Sequence, residues 1–134
     1  MGSIKLEVVT PQRRILTEDV EGVTAPGAEG YLGVLPRHAP LITFLKPGVV
    51  YYRKAGNKTE RMAVSGGFME AGPSKVIILA DMAELSSEID VEKARQAIKR
   101  AEEYLRERPK GFDLAWAEEE LNKNTARLKA AAVD

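Results

Sequence analysis

A change of composition near Ser87 limits what this chain can fold into more than any single motif does. Before it the sequence is rich in β-branched residues and punctuated by Gly and Pro. After it Ala, Glu, Lys and Arg dominate, and of the eleven glycines and seven prolines only Gly111 and Pro109 lie there. Because Gly and Pro mark turns and interrupt helices, two pieces with different physics are expected, residues 1–87 and 88–134. The first can bury a core by itself. The second presents helices with a narrow apolar seam that needs a surface to lie against, which suits a movable arm.

Length and charge exclude several classes of function. A chain of 134 residues has room for one ordinary domain and an appendage, not for two large catalytic lobes. Lys plus Arg and Asp plus Glu number 20 each, and the two signs stay close to balance on either side of the break. Net charge therefore gives no reason to expect nucleic acid or an anionic membrane as a partner. With no cysteine, disulfides and thiolate metal sites are excluded. No leader and no long apolar run is visible, which leads to the expectation of a soluble, cytoplasmic protein that meets a membrane only through a partner. The opening Met1-Gly2-Ser3 resembles an acylation signal, but Leu6 stands where Ser or Thr is required.

The first piece reads as short strands. Ile4, Leu6 and Val8 alternate with Lys5 and Glu7, the period-two pattern of a strand with one buried face, and Thr10-Pro11 ends it. Further strands are expected at 14–16, 20–24, 30–35, 41–44, 49–54, 59–65, 67–71 and 75–80, separated by Gly, Pro or Asn. That spacing belongs to an all-β sandwich or barrel, and no strand alternates with a helical segment as a parallel α/β sheet would require. Arg53 to Lys58 places Gly56 and Asn57 between two strand-like runs, predicting a hairpin.

The second piece reads as two antiparallel helices. Val91, Ala94, Ile98, Ala101 and Leu105 form one apolar stripe at alternating spacings of three and four. Asp90 is placed to cap this helix, and Pro109-Lys110-Gly111 to stop it. Asp113 caps a second helix, acidic early and basic late in accord with the helix dipole, with a seam of Leu114, Ala117, Leu121, Asn124, Leu128 and Ala131. Alanines and an asparagine in that seam forgo roughly one to three kcal/mol of apolar burial at each position relative to large aliphatics. The hairpin is therefore expected to be marginal by itself, with intrahelical pairs such as Glu102 with Arg106 and Glu119 with Lys123 on its solvated face. A permanently docked appendage or a dimerisation coil fits the same pattern as a switch does.

Catalytic signals are thin. One histidine, His38, cannot make a metal cluster. A serine-hydrolase set would need Ser65, His38 and Asp81, but Ser65-Gly66-Gly67 is not a nucleophile elbow and reads as a turn or bulge. No Walker-type loop occurs, and Gly27, Gly30 and Gly33 lack dinucleotide-binding spacing. No enzymatic activity of the chain's own is expected.

Three segments carry a family likeness: Glu29-Gly30-Tyr31-Leu32-Gly33-Val34-Leu35-Pro36-Arg37-His38-Ala39-Pro40-Leu41, then Ser65-Gly66-Gly67-Phe68-Met69-Glu70, then Val76-Ile77-Ile78-Leu79-Ala80. With the opening Val8-Val9-Thr10-Pro11 and the helix start Ile89-Asp90, the chain resembles, over its whole length, the epsilon subunit of bacterial F-type ATP synthase. The resemblance implies a ten-stranded β-sandwich followed by a two-helix hairpin. It implies a sandwich bound to the gamma subunit and to the c-subunit ring in the rotating central stalk, peripheral on the cytoplasmic face of the bacterial cell membrane. It also implies that the helices extend toward the alpha and beta subunits and block ATP hydrolysis.

Site residues follow from the same resemblance. The loop facing the c ring carries an acidic residue and the histidine of a Pro-x-His-x-Pro motif, matched by Glu29 and His38, with Tyr31 at a commonly acidic position. Some members bind ATP as a regulatory ligand between the helices and the sandwich through an Ile/Leu-Asp-x-x-Arg-Ala motif. Ile89, Asp90 and Ala94 match it, and Glu84, Arg100 and Arg127 stand at equivalent positions. Lys93 and Lys123 stand where arginines are common, so a point-charge ammonium replaces a bidentate fork at both. No cofactor is required. Two other readings remain open from the residues alone: a free-standing β-sandwich adaptor with a helical partner-binding tail, and a small-molecule sensor acting alone.

Overall fold

The computed structural model describes residues 2–131. Ten strands form two five-stranded sheets: β1 (Ile4–Val9), β2 (Arg14–Val20), β3 (Gly22–Gly27), β4 (Gly30–Val34), β5 (Leu41–Phe44), β6 (Gly48–Lys54), β7 (Lys58–Ser65), β8 (Phe68–Ala71), β9 (Lys75–Leu79) and β10 (Met82–Leu85). The first sheet has the order β2-β1-β9-β8-β5 and the second β10-β7-β6-β3-β4. All pairings are antiparallel except β1 with β9, which run parallel and bring the two ends of the β-rich piece together in mid-sheet.

The expected sandwich and helical hairpin are both present, with two differences in the strands. The run at 20–24 straddles two strands, because the chain breaks at Glu21, whose amide donates to the Arg53 carbonyl at 2.6 Å. β10 was not expected. Its sequence, Met-Ala-Glu-Leu, carries no β-branched residue, and it is a strand because Ala83 and Leu85 pair with Val64 and Met62 of β7. The hairpin between β6 and β7 turns where predicted, with Gly56 and Asn57 at φ of 83° and 63°.

Alternation along the strands builds the core. Ile4, Leu6 and Val8 point inward from β1 and meet Met62, Met69 and Ile78 from other strands. Tyr52 joins this core, and its hydroxyl is pushed up to about 12, by burial first and then by the nearby charges of Glu60 and Glu18. Between β7 and β8, Gly66 and Gly67 take φ of 70° and 86°; a Cβ on Gly67 would overlap the Leu79 carbonyl, so this turn admits only glycine there.

Alternation fails along Gly48–Val50 and from Met62 to Ser65, where consecutive residues are all buried. The reason is a second cover. After a short 3-10 turn (Ser86–Glu88), helices α1 (Val91–Glu107) and α2 (Leu114–Ala130) fold back, and α2 lies on β6 and β7. Asp90 and Asp113 cap them as expected, accepting from the amides of Lys93 and Trp116 at 3.0 Å each. Arg108, in a left-handed conformation at φ 48°, ends α1 ahead of the expected Pro109-Lys110-Gly111 stop.

In the helix seam Val91, Ile98, Leu105, Leu121 and Leu128 are half-buried, and the fully buried positions are small or polar. Ala94 and Ala101 of α1 and Ala117 and Asn124 of α2 are buried, while Leu114, expected in the seam, is half exposed. Facing the sandwich, α2 uses a different stripe, Ala126 and Ala130, which bury against Val49 and Ala63 with Tyr51, Met82 and Ile89 around them.

Candidate functional site

Helix periodicity decides which side chains converge. On α2, Glu120, Asn124 and Arg127 recur at i, i+4 and i+7, so they share one face. On α1, Lys93, Ala94, Ala97 and Arg100 do the same. These faces and the end of β10 enclose a cleft of about 400 Å³ lined by Glu84, Glu88, Asp90, Lys93, Ala94, Ala97, Arg100, Glu120, Asn124 and Arg127. The volume falls within the range of ligand pockets, about 300–1,000 Å³.

Most of the acids in the cleft are engaged. Arg127 grips Glu84 with two bonds, Nε to Oε1 at 2.7 Å and Nη2 to Oε2 at 3.1 Å. Glu88 binds Arg13 at 2.8 Å, Glu120 binds Lys123 at 3.0 Å, and Asp90 is occupied in capping α1. Among the described residues Lys93 and Arg100 enter no ion pair. The cleft thus offers two uncommitted cations to an anion, although its formal inventory is four acids to three bases.

Of the residues expected to bind nucleotide, Glu84, Asp90, Lys93, Ala94, Arg100 and Arg127 are brought together here. Ile89 and Lys123 are not. Ile89 packs among Tyr51 and Met82 on the apolar contact beneath α2. Lys123 is within one helical turn of both Glu120 and Arg127, yet it does not line this cleft. It lies with Glu119 in a separate hollow bounded by Leu45, Ser65 and Asp81. Its carboxylate partner is Glu120, not the expected Glu119. Glu88, Ala97, Glu120 and Asn124 are cleft residues that the motif did not supply; the i, i+4, i+7 relation with Arg127 was the available signal for the last two.

The three residues assigned to a ring contact fall at two places, Glu29 and Tyr31 at the start of β4 and His38 beyond its end. Glu29 sits in the turn before β4, and His38 lies in the loop after it, so five residues of strand, about 16 Å, part them. No single loop holds both. The His38 amide donates to the Leu35 carbonyl at 3.1 Å, and its ring Nδ1 meets the Ala39 carbonyl. Tyr31 is 54% exposed, but its hydroxyl accepts from the Val49 amide at 3.0 Å, which ties β4 across to β6. The hydrolase set is also unassembled: Asp81 lies beside Gly66 next to Ser65, whereas the His38 loop is bonded to Pro73 at the far end of β8.

The first sheet shows a surface that the sequence reading did not single out. On its outer face Phe44, Phe68, Leu79 and Val9 follow one another across four strands, with Ile42 and Ile77 in the adjoining row. Phe44 is 74% and Ile42 69% exposed. Apolar residues on both faces of β5 were the signal.

Family comparison agrees with this architecture. Residues 3–86 match the model of the ATP synthase delta/epsilon chain β-sandwich domain, and residues 87–132 that of the ATP synthase delta/epsilon chain long α-helix domain. The chain is 61% identical over 131 residues to the ATP synthase epsilon chain of Moorella thermoacetica, covering 98% of each. It is 49% identical over 128 residues to that of Herpetosiphon aurantiacus, covering 96% of this chain and 93% of the relative. Among solved structures it is similar to a chain of the Euglena gracilis mitochondrial ATP synthase OSCP/F1/c-ring assembly, with a TM-score of 0.84, 28% identity and coverage of 98% and 82%.

Proposed function

This chain belongs to the ATP synthase delta/epsilon chain family, as a non-catalytic epsilon-type chain of the central stalk, and from that premise we propose that its helical arm restrains ATP hydrolysis when it leaves the sandwich. Family membership displaces the free-standing adaptor. In the docked state the arm lies on β6 and β7 and leaves rotation free. In the extended state its basic residues meet acidic surfaces of the alpha and beta subunits and obstruct the hydrolytic direction.

The observation that carries this reading is that α2 contributes only alanines to the buried apolar contact under the arm. Besides the polar ties of Arg127 to Glu84 and of Arg61 to the Lys129 carbonyl, α2 meets the sandwich through Ala126 and Ala130, and α1 is held mainly by α2. Alanine methyls contribute only about 0.8 kcal/mol each, so a partner surface of modest quality can compete with the docked pose.

The sandwich, on this reading, is held by the gamma subunit and the c ring. The exposed Phe44 and Ile42 strip supports a protein-covered face, since a contiguous apolar patch on a soluble surface marks an interaction site. Among the described residues no helix is long and apolar enough to cross a membrane; the proposed position is peripheral, on the cytoplasmic face, reached through the complex.

ATP is the proposed regulatory ligand of the cleft, with Lys93 and Arg100 meeting its phosphates. Bound ATP favours docking to the extent that it binds the docked state more tightly than the extended one. Truncation after Ser87 tests the inhibitory role: the assembled enzyme should form normally and hydrolyse ATP faster, and unchanged hydrolysis would contradict it.

A further inference from the structure

Arg127 was expected to serve a ligand, yet in the docked arm all three of its guanidinium nitrogens are already bonded within the chain. Nε and Nη2 take the two oxygens of Glu84 at 2.7 and 3.1 Å, and Nη1 donates to Asn124 Oδ1 at 2.8 Å. Asn124 is in turn fixed, because its Nδ2 donates to the Glu120 carbonyl at 2.8 Å and its residue is only 1% exposed. We infer that Glu84, Arg127 and Asn124 form a latch that holds the arm on the sandwich through bonds internal to the chain.

Three features support this assignment. The pair joins β10 to α2 across 43 residues of sequence, so it ties one piece of the chain to the other and not a helix to itself. Its side chains are 23% and 31% exposed, so solvent and salt screen it less than they screen the Arg13 and Glu88 pair at 52% and 35%. Its geometry is a two-bond fork on a carboxylate, which fixes direction as well as distance. The alanine contact beneath α2 tolerates sliding, because methyl groups have no directional preference, whereas the fork sets one register.

Two consequences follow for the cleft. Glu84 and Arg127 act there as positioning residues, and an anionic ligand meets Lys93 and Arg100 without having to displace the Glu84 carboxylate. The proposal goes beyond the nucleotide reading and is independent of it.

Hydrogen exchange of the full-length chain, without nucleotide, tests the latch on Glu84→Gln, Arg127→Gln and the double variant, with Lys58→Gln as a control that removes an exposed sandwich pair. Each single variant should accelerate exchange of the α2 amides from Leu121 to Ala130 about tenfold, a loss typical of a hydrogen-bonded charged pair. The double variant should be no faster than the singles, because the two changes remove one interaction. Amides of β1 and β9 should stay as they are, as should α2 in the control. Unchanged α2 exchange in Glu84→Gln would overturn the latch. Equal acceleration in α2 and the sheets would overturn it too, by making the pair a general prop of the fold. With no nucleotide present, failure here leaves the ATP proposal standing, and failure of ATP binding leaves the latch standing.

Discussion

Arg13, on the turn between β1 and β2, and Glu88, just ahead of α1, meet at 2.8 Å although 75 residues separate them. The other oxygen of Glu88 accepts from the Leu85 amide at 3.1 Å. One carboxylate thus pins the joint between sandwich and arm to the sandwich. The Leu85 amide chiefly, with the Arg13 guanidinium adding to it and burial opposing, holds this carboxyl below its ordinary value. A carboxyl depressed in the folded state stabilises above its unfolded value, near 4.3, and loses that contribution as pH falls through the folded value. Amides of residues 86–90 should therefore exchange faster, relative to the sheets, as the solution is acidified below about pH 4. In Glu88→Gln that acid-dependent step should vanish; an unchanged acid profile in the variant would refute the assignment.

At the far end of the arm, Tyr104 stacks on Phe112 at 5.2 Å and meets Trp116 edge-on at 4.9 Å, while its hydroxyl accepts from the Asp113 amide at 2.6 Å. This clasp closes the turn between the helices. Tyr104→Phe should cost about 1 kcal/mol of arm stability, the net value of one hydrogen bond. Tyr104→Ala should cost more, because the two aromatic contacts contribute roughly 0.5–1.5 kcal/mol each. Trp116 is the chain's single tryptophan, so its fluorescence reports the arm selectively. Melting followed by Trp116 should shift in both variants while melting of the sheets stays near the parent; coincident shifts would show arm and sandwich to be one cooperative unit.

Lys93 lines the cleft opposite α2 with no acidic partner among the described residues. If it meets phosphate, Lys93→Arg should tighten ATP roughly fivefold, by about 1 kcal/mol, because a planar fork makes two bonds where an ammonium makes one. Lys93→Gln should weaken ATP by at least as much. Calorimetric titration of the full-length chain checks both, and affinities insensitive to either change would remove Lys93 from the site.

Local pattern made much of this fold legible, and its failures have physical causes. Alternation of Ile4, Leu6 and Val8 gave β1, the glycines and prolines gave the turns, and the three-and-four spacing from Val91 to Leu105 gave α1. Pairing between distant segments leaves no local trace, so the parallel β1 and β9 pair could not be read, and β10 exists only because β7 offers an edge. On α2 the stripe that docks on the sandwich is Ala126 and Ala130. Alanine adds so little apolar contrast that this face was invisible, and Lys123, assigned to the cleft by its position in the family, lines the neighbouring hollow although it stands four residues from Arg127. The resemblance grouped Glu84, Asp90 and Arg127, which line one cleft, yet it could not reveal that two of them bind each other.

The central claim is that the arm regulates by leaving its β platform. Ala63 and Ala126 are buried in the same contact, and the chain has no cysteine of its own, so Ala63→Cys with Ala126→Cys permits one defined crosslink. In the assembled enzyme, oxidation of this pair should raise ATP hydrolysis to the level of the enzyme truncated after Ser87, and reduction should restore restraint. Hydrolysis that is equally restrained with the arm locked and with it free would contradict the account.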